Sequence, residues 1–171
     1  LGGRAALYLP SRFREGYGLH RDALQIIASQ GSSLVVTVDC GINSREEVLY
    51  ARELGMDIII TDHHQPLTNL EGAAAVINPR QDGCAYPFKE LAGAGVAFQL
   101  AAALTERVGA DYPEQQLDLA ALGTVADVVP LVGENRVLVA QGLKRANSKG
   151  LRTGLKALTE AWGLREPALK S

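Results

Sequence analysis

The chain is short of the residues that hold small secreted or membrane proteins together. It has two cysteines, Cys40 and Cys84, which form no CxxC pair. Such sparse use excludes a disulfide scaffold, fits a reducing cytoplasm, and leaves both thiols as small packing residues rather than metal ligands. No stretch approaches the roughly 20 apolar residues of a membrane span, and no basic-then-apolar leader opens the chain. The net charge of −2 gives no general attraction for nucleic acid. A polyanion would have to be met by metal ions and a local patch. There is no initiating methionine, the single Met being Met56, and the chain starts on "LGGRAALYLP", between elements. It is expected to be a piece of a larger protein. Internal repeats and low-complexity segments are also missing.

What remains is ordinary globular material. With 171 residues, 47% apolar and 21% charged, the chain can bury a proper core as one domain, or one domain with a fragment. Two stretches, "SLVVTVD" and "DIIITD", are short β-branched runs of the kind buried on both faces of a sheet. "AALYLP" reads as a strand stopped by Pro10, and "AAAVINP" as a strand stopped by Pro79. Between them, residues 20 to 30 have helical spacing with Gly31 as the stop. A second helix is expected from Asn43 as cap with Glu46 as its capping-box partner, ending at Gly55. Helical patterns follow at 95–108, 115–123, 134–148 and 151–162, with a break at "ANSKG". Strands alternating with helices imply an α/β fold, a parallel, doubly wound, Rossmann-like sheet with flanking helices, followed by C-terminal helices.

The second strand raises the functional question, because "DIIITDHHQP" ends in Asp62, His63 and His64. Asp39 and Asp62 lie 23 positions apart with one helix between them. That crossover makes the strands parallel, so both acids emerge at the same carboxyl end, where open α/β sheets bind ligands. Carboxylates mixed with neutral imidazole suit a divalent metal of the manganese, iron or zinc type. Asp62 is read as the acid that orients an imidazole. Asp127, in "LGTVADVVPL", is an acid among apolar residues whose burial a metal would compensate.

Other features are weaker. Gly93 and Gly95 in "LAGAGVAF" precede a helix and could cradle phosphate, or simply pack closely. Arg12 and Arg14, in "PSRFREGYG", could clamp a phosphate or face solvent. Lys144, Arg145, Lys149, Arg152 and Lys156 form a basic stretch read as a solvated face, with a nucleic-acid backbone as the other possibility. No GxGxxG follows the first strand, which excludes a dinucleotide-binding domain.

"TDHHQP" resembles the signature of the DHH phosphoesterase superfamily. The run "PSRFREGYGL", "LVVTVDCGINS", "DIIITDHHQP", "AAVINPR", "LAGAGVAFQLAAAL", "LDLAALGTVADVVPL" and "ENRVLVAQGL" resembles its RecJ-type branch, exonucleases specific for single strands. The resemblance spans roughly residues 8 to 145. It implies a site for two ions, manganese or magnesium, in which Asp39 bridges the metals and His63 and Asp127 bind the second. His64 would contact the scissile phosphate and support the leaving group, and Arg12 would bind phosphate. It further implies 5′-to-3′ hydrolysis of single-stranded DNA in repair and recombination, in the cytoplasm, with a single-strand-binding protein as a further partner and no membrane.

On this reading residues 1–145 are a partial DHH catalytic domain whose first, DxD-type motif would lie before Leu1. Residues 146–171, closing on "LREPALKS", lead towards a DHHA1 domain. The chain by itself would hold at most one metal well and be inactive. Two other functions stay open. One is a DHH-type phosphodiesterase for short oligonucleotides or cyclic dinucleotides, or a pyrophosphatase. The other is a non-catalytic scaffold.

Overall fold

The computed structural model describes residues 3–67 and 69–163. The expected connection "LREPALKS" lies outside them. The chain divides into two compact units, Leu1–Lys89 and Glu90–Ser171. This division falls inside the stretch 1–145 expected as one domain.

The first unit is a parallel α/β layer. Helix α1 (Arg21–Ser29) leads into strand β1 (Leu34–Val36), helix α2 (Arg45–Glu53), strand β2 (Asp57–Thr61) and strand β3 (Ala75–Ile77). The sheet order is β1-β2-β3, all parallel, with Val36 opposite Ile59 and Thr61 opposite Ile77. Alternation in β2 sends Ile58 and Ile60 to one face. There they form a cluster with Leu24 of α1, Val48 and Ala51 of α2, and Ile42 and Met56. Both isoleucines are completely buried. By register, Leu34, Val36 and Ile59 point the other way. Leu34 and Val36 are exposed, so the expectation that β1 is buried on both faces does not hold among the described residues.

Two further expectations need correction. Residues 5–10 form no strand, and Leu7 and Leu9 are exposed, because their alternation finds no neighbouring strand to pair with among the described residues. Nor does Asn43 cap α2. Ser44 occupies the N-cap position, and the Asn43 amide is committed to the loop after β2. Its Nδ2 donates to Gln65 O at 3.1 Å and its Oδ1 accepts from Leu67 N–H at 2.8 Å.

The second unit is helical. It comprises α3 (Gly93–Arg107), a 3-10 turn (Glu114–Gln116), α4 (Leu117–Ala126), α5 (Gly133–Lys149) and α6 (Thr153–Ala161). The expected break at "ANSKG" falls at its end, where α5 stops before Gly150. Small residues set the helix spacing. A Cβ on Gly142 of α5 would meet Leu117 O at 2.3 Å and Ala121 Cβ at 2.4 Å, and one on Gly123 of α4 would meet Ala94 Cβ at 2.4 Å. Asn135, fully buried, donates to Glu90 O at 2.6 Å and Pro130 O at 3.1 Å and accepts from Ala92 N–H at 3.3 Å, which ties the entry to α3 onto α5. Arg152 forks onto Asp118 through Nε at 2.8 Å and Nη2 at 2.9 Å, so the basic stretch is not wholly a solvated face.

Replacing Ile60 by Ala should cost about 2–5 kcal/mol in denaturant unfolding, whereas Val36→Ala should stay within about 0.5 kcal/mol. Burial pushes the Asp118 carboxyl up, but the Arg152 fork outweighs it and holds the group below its ordinary value. A depressed carboxylate stabilises the fold above its unfolded pKa of about 4, and that contribution is lost as pH falls through the folded value. Arg152→Met should therefore cost about 1–3 kcal/mol at pH 7, discounted for the partial exposure of Arg152. The gap to the wild type should close in urea titrations below about pH 3.

Candidate metal centre

The carboxyl ends of the three strands lie side by side, and their ladder runs past the strands proper. Thr37 N–H donates to Ile59 O at 2.9 Å, Asp39 N–H to Thr61 O at 3.0 Å, and Asp62 N–H to Ile77 O at 3.0 Å. Asp39, Asp62 and Asn78 are thereby set at the ends of neighbouring strands. Thr37 and Thr61 lock the pair: Thr61 Oγ1 donates to Thr37 O at 2.5 Å, and Thr37 Oγ1 accepts from Thr61 N–H at 3.2 Å. Gly41, at φ 103°, turns the chain away where a Cβ would meet Ile60 Cδ1 at 2.9 Å.

Within this frame three expected residues converge. Asp39, His63 and His64 each offer a ligand atom within 4.8 Å of the others. Asp39 Oδ1 lies 3.1 Å from His63 Nε2. That oxygen is hidden from solvent and accepts no hydrogen bond from the described residues, the state expected of an atom waiting for a cation. The His63 and His64 rings sit 4.5 Å apart, centre to centre. One carboxylate with two imidazoles is a donor set for manganese, iron or zinc. Burial, then the charges of Asp62 and Asp39, push the Cys40 thiol up. It stays protonated, consistent with its expected role as packing rather than ligation.

Asp62, expected to orient an imidazole, stands against the His64 ring. It is buried, and its Oδ2 accepts from Ile42 N–H at 3.0 Å. Oδ1 accepts from His63 N–H at 2.7 Å and His64 N–H at 3.2 Å. The same oxygen lies 2.6 Å from His64 Nδ1. Burial alone would push this carboxyl up, but the donors win and hold it below its ordinary value. A charged Asp62 favours the His64 proton on Nδ1 and leaves the Nε2 lone pair for a metal. Asn78, almost fully buried, donates from Nδ2 to His64 O at 2.9 Å.

Residues 2–124 match the DHH family, N-terminal domain. The chain belongs to the DHH family. It is similar to the single-stranded-DNA-specific exonuclease RecJ of Bacillus subtilis, 48% identical over 163 residues that make up 95% of this chain and 20% of the relative. The Escherichia coli protein of the same name is 44% identical over 89% of this chain and 28% of its own length. A crystal structure of exonuclease RecJ bound to manganese superposes with a TM-score of 0.80 at 41% identity, covering 94% of this chain and 40% of that one. RecJ of Thermus thermophilus in complex with Mn2+ gives 0.73 at 39% identity, covering 87% and 22%. The chain thus spans less than a third of the length of the two curated relatives and at most 40% of the two structures.

The remaining expected DHH residues are placed as follows. Arg12 and Arg14 are exposed in the loop before α1. Asp127 belongs to the second unit, at the C-cap of α4, and is exposed beside Val125 and Val128, themselves exposed. The argument from its burial therefore falls. Gly95 lies in α3 where a Cβ would meet Leu91 Cδ1 at 2.7 Å, so close packing accounts for it without a phosphate. Gly93 is buried at the first position of the same helix. Sequence reasoning missed Tyr17, Asn78 and Thr37. The first stands in the "EGYG" run and the second in "INPR", but their partners are backbone carbonyls that no side-chain pattern announces.

Asp62→Asn should abolish the preference for Nδ1–H at His64. Nitrogen-15 spectra of the metal-free chain should show a single Nδ1–H tautomer in the wild type and a mixture in the variant.

Proposed function

We propose that this chain supplies the metal-binding strand ends of a longer enzyme that hydrolyses phosphodiester bonds of single-stranded DNA, removing nucleotides 5′ to 3′ in repair and recombination. The observation that carries the reading is the convergence of Asp39, His63 and His64 at the carboxyl ends of adjacent parallel strands. Relatives at 44–48% identity are named single-stranded-DNA-specific exonucleases, and two similar structures hold manganese.

In this reading Asp39 and His63 hold the metal, and Asp127 of the second unit serves as a further ligand. Two divalent ions, Mn2+ or Mg2+, when bound would activate water and neutralise charge on the phosphodiester. His64 is held by Asp62 through Nδ1 and turns Nε2 to the scissile phosphate and the leaving oxygen, which it can serve as a donor when Nε2 also carries a proton. Arg12, on its exposed loop, offers a forked guanidinium to a phosphate of the strand. The metals remove the objection raised by net charge, since affinity then rests on the site and not on a basic surface. The enzyme would work in the cytoplasm, on single-stranded DNA, with a single-strand-binding protein as a further partner.

In the full-length protein carrying this chain, nucleotide release from a 5′-phosphorylated single strand should require Mn2+ and spare a duplex. Asp39→Ala, His63→Ala and Asp127→Ala should each lower it by about 100-fold or more, beyond the 10–100-fold typical of residues that merely support ligands. Turnover of a dinucleotide but not of a strand would replace this reading by that of a small-substrate phosphodiesterase.

A further inference from the structure

Asp39 has a left-handed backbone, φ 64°, a conformation uncommon for residues with a side chain, though aspartate and asparagine visit it more readily than most. Strain of that kind persists only where the surroundings enforce it. Two of the enforcing contacts come from the sheet itself: Asp39 N–H donates to Thr61 O at 3.0 Å, and Thr37 Oγ1 to Cys40 O at 2.7 Å. Another comes from outside it. The Tyr17 hydroxyl donates to Asp39 O.

The loop that carries Tyr17 is itself well tied. Ser11 O accepts from Arg14, Glu15 and Gly16 N–H. The Glu15 carboxylate accepts from Tyr8 Oη–H and Ser11 N–H, each at 2.6 Å. From that base the Tyr17 hydroxyl oxygen also comes within 3.5 Å of His64 Nδ1, and the two rings meet edge to face at 5.8 Å. Tyr17 is 58% exposed, so burial of its ring is a small part of what it contributes. The hydroxyl is the part that reaches Asp39.

We propose that Tyr17 is a positioning residue of the metal centre: by holding the Asp39 carbonyl it keeps the left-handed turn that aims the Asp39 carboxylate at His63. The role rests on the metal-centre reading above and acts through Asp39. The phenol O–H is turned to the carbonyl, so the role assigned to it is an indirect one. Tyr17→Phe removes that contact and keeps the ring, so a carboxylate freed to wander should bind metal less well without loss of the fold.

The test uses the full-length protein, with Mn2+ binding followed by the loss of the free-ion EPR signal. Nucleotide release is followed in parallel across Mn2+ concentration. Tyr17→Phe should unfold at the wild-type temperature, bind Mn2+ about 10-fold more weakly, and regain release to within about twofold when Mn2+ is raised. Its KM for DNA at saturating Mn2+ should be unchanged, and Asp39→Asn should not be rescued by any Mn2+ concentration. Unaltered Mn2+ binding in Tyr17→Phe overturns the proposal alone; a raised KM for DNA in that case makes Tyr17 a DNA contact. A wild type that binds no Mn2+ overturns the metal-centre reading, and this role with it.

Discussion

A carboxylate hidden from water with no cation beside it stays charged only if hydrogen-bond donors replace the lost hydration. Asp62 meets that constraint with backbone from two places. Ile42 N–H comes from the turn after β1, His63 and His64 N–H from the turn after β2, and the His64 ring adds a further donor. One buried charge therefore fixes both turns against each other. The distance between Asp39 and His63, the tautomer of His64 and the path of the chain towards Asn78 all depend on it. Removing Asp62 would leave several buried N–H groups without an acceptor, which is why the residue that touches no substrate in this reading is as consequential as those that do.

Much of this frame could be read from the order of residues. The β-branched run ending in Asp62 is a strand, and one intervening helix makes it parallel to the strand ending before Asp39. Those two facts alone bring Asp39, His63 and His64 to one edge. What could not be read depended on tertiary partners. Asn43 has the residue type of a helix cap, yet the loop at 65–67 competes for its amide and wins. Leu7 and Leu9 alternate like a strand, but a strand is a property of two segments, and the second is not among the described residues. Asp127 looked buried because its neighbours are apolar, whereas those neighbours are exposed at the end of α4. Local polarity is a poor guide to burial at a helix terminus.

The same contrast separates the residues that were named from those that were missed. Asp39, His63 and His64 advertise themselves by the chemistry of their side chains. Tyr17 and Asn78 act on main-chain carbonyls, at Asp39 and His64, and such partners carry no signature in sequence. A site of this kind has a visible layer of ligands and a hidden layer that sets their backbone.

Gly142 shows a hidden constraint of another kind, inside the second unit. Its bare Cα lets α5 lie against the Leu117 carbonyl and Ala121 of α4, the helix that carries Asp127 at its end. Any side chain there must push α4 aside. In a saturation-mutagenesis map Gly142 would then score as intolerant as a ligand, and someone ranking positions by fitness alone would assign chemistry to a residue that has no side chain to perform it.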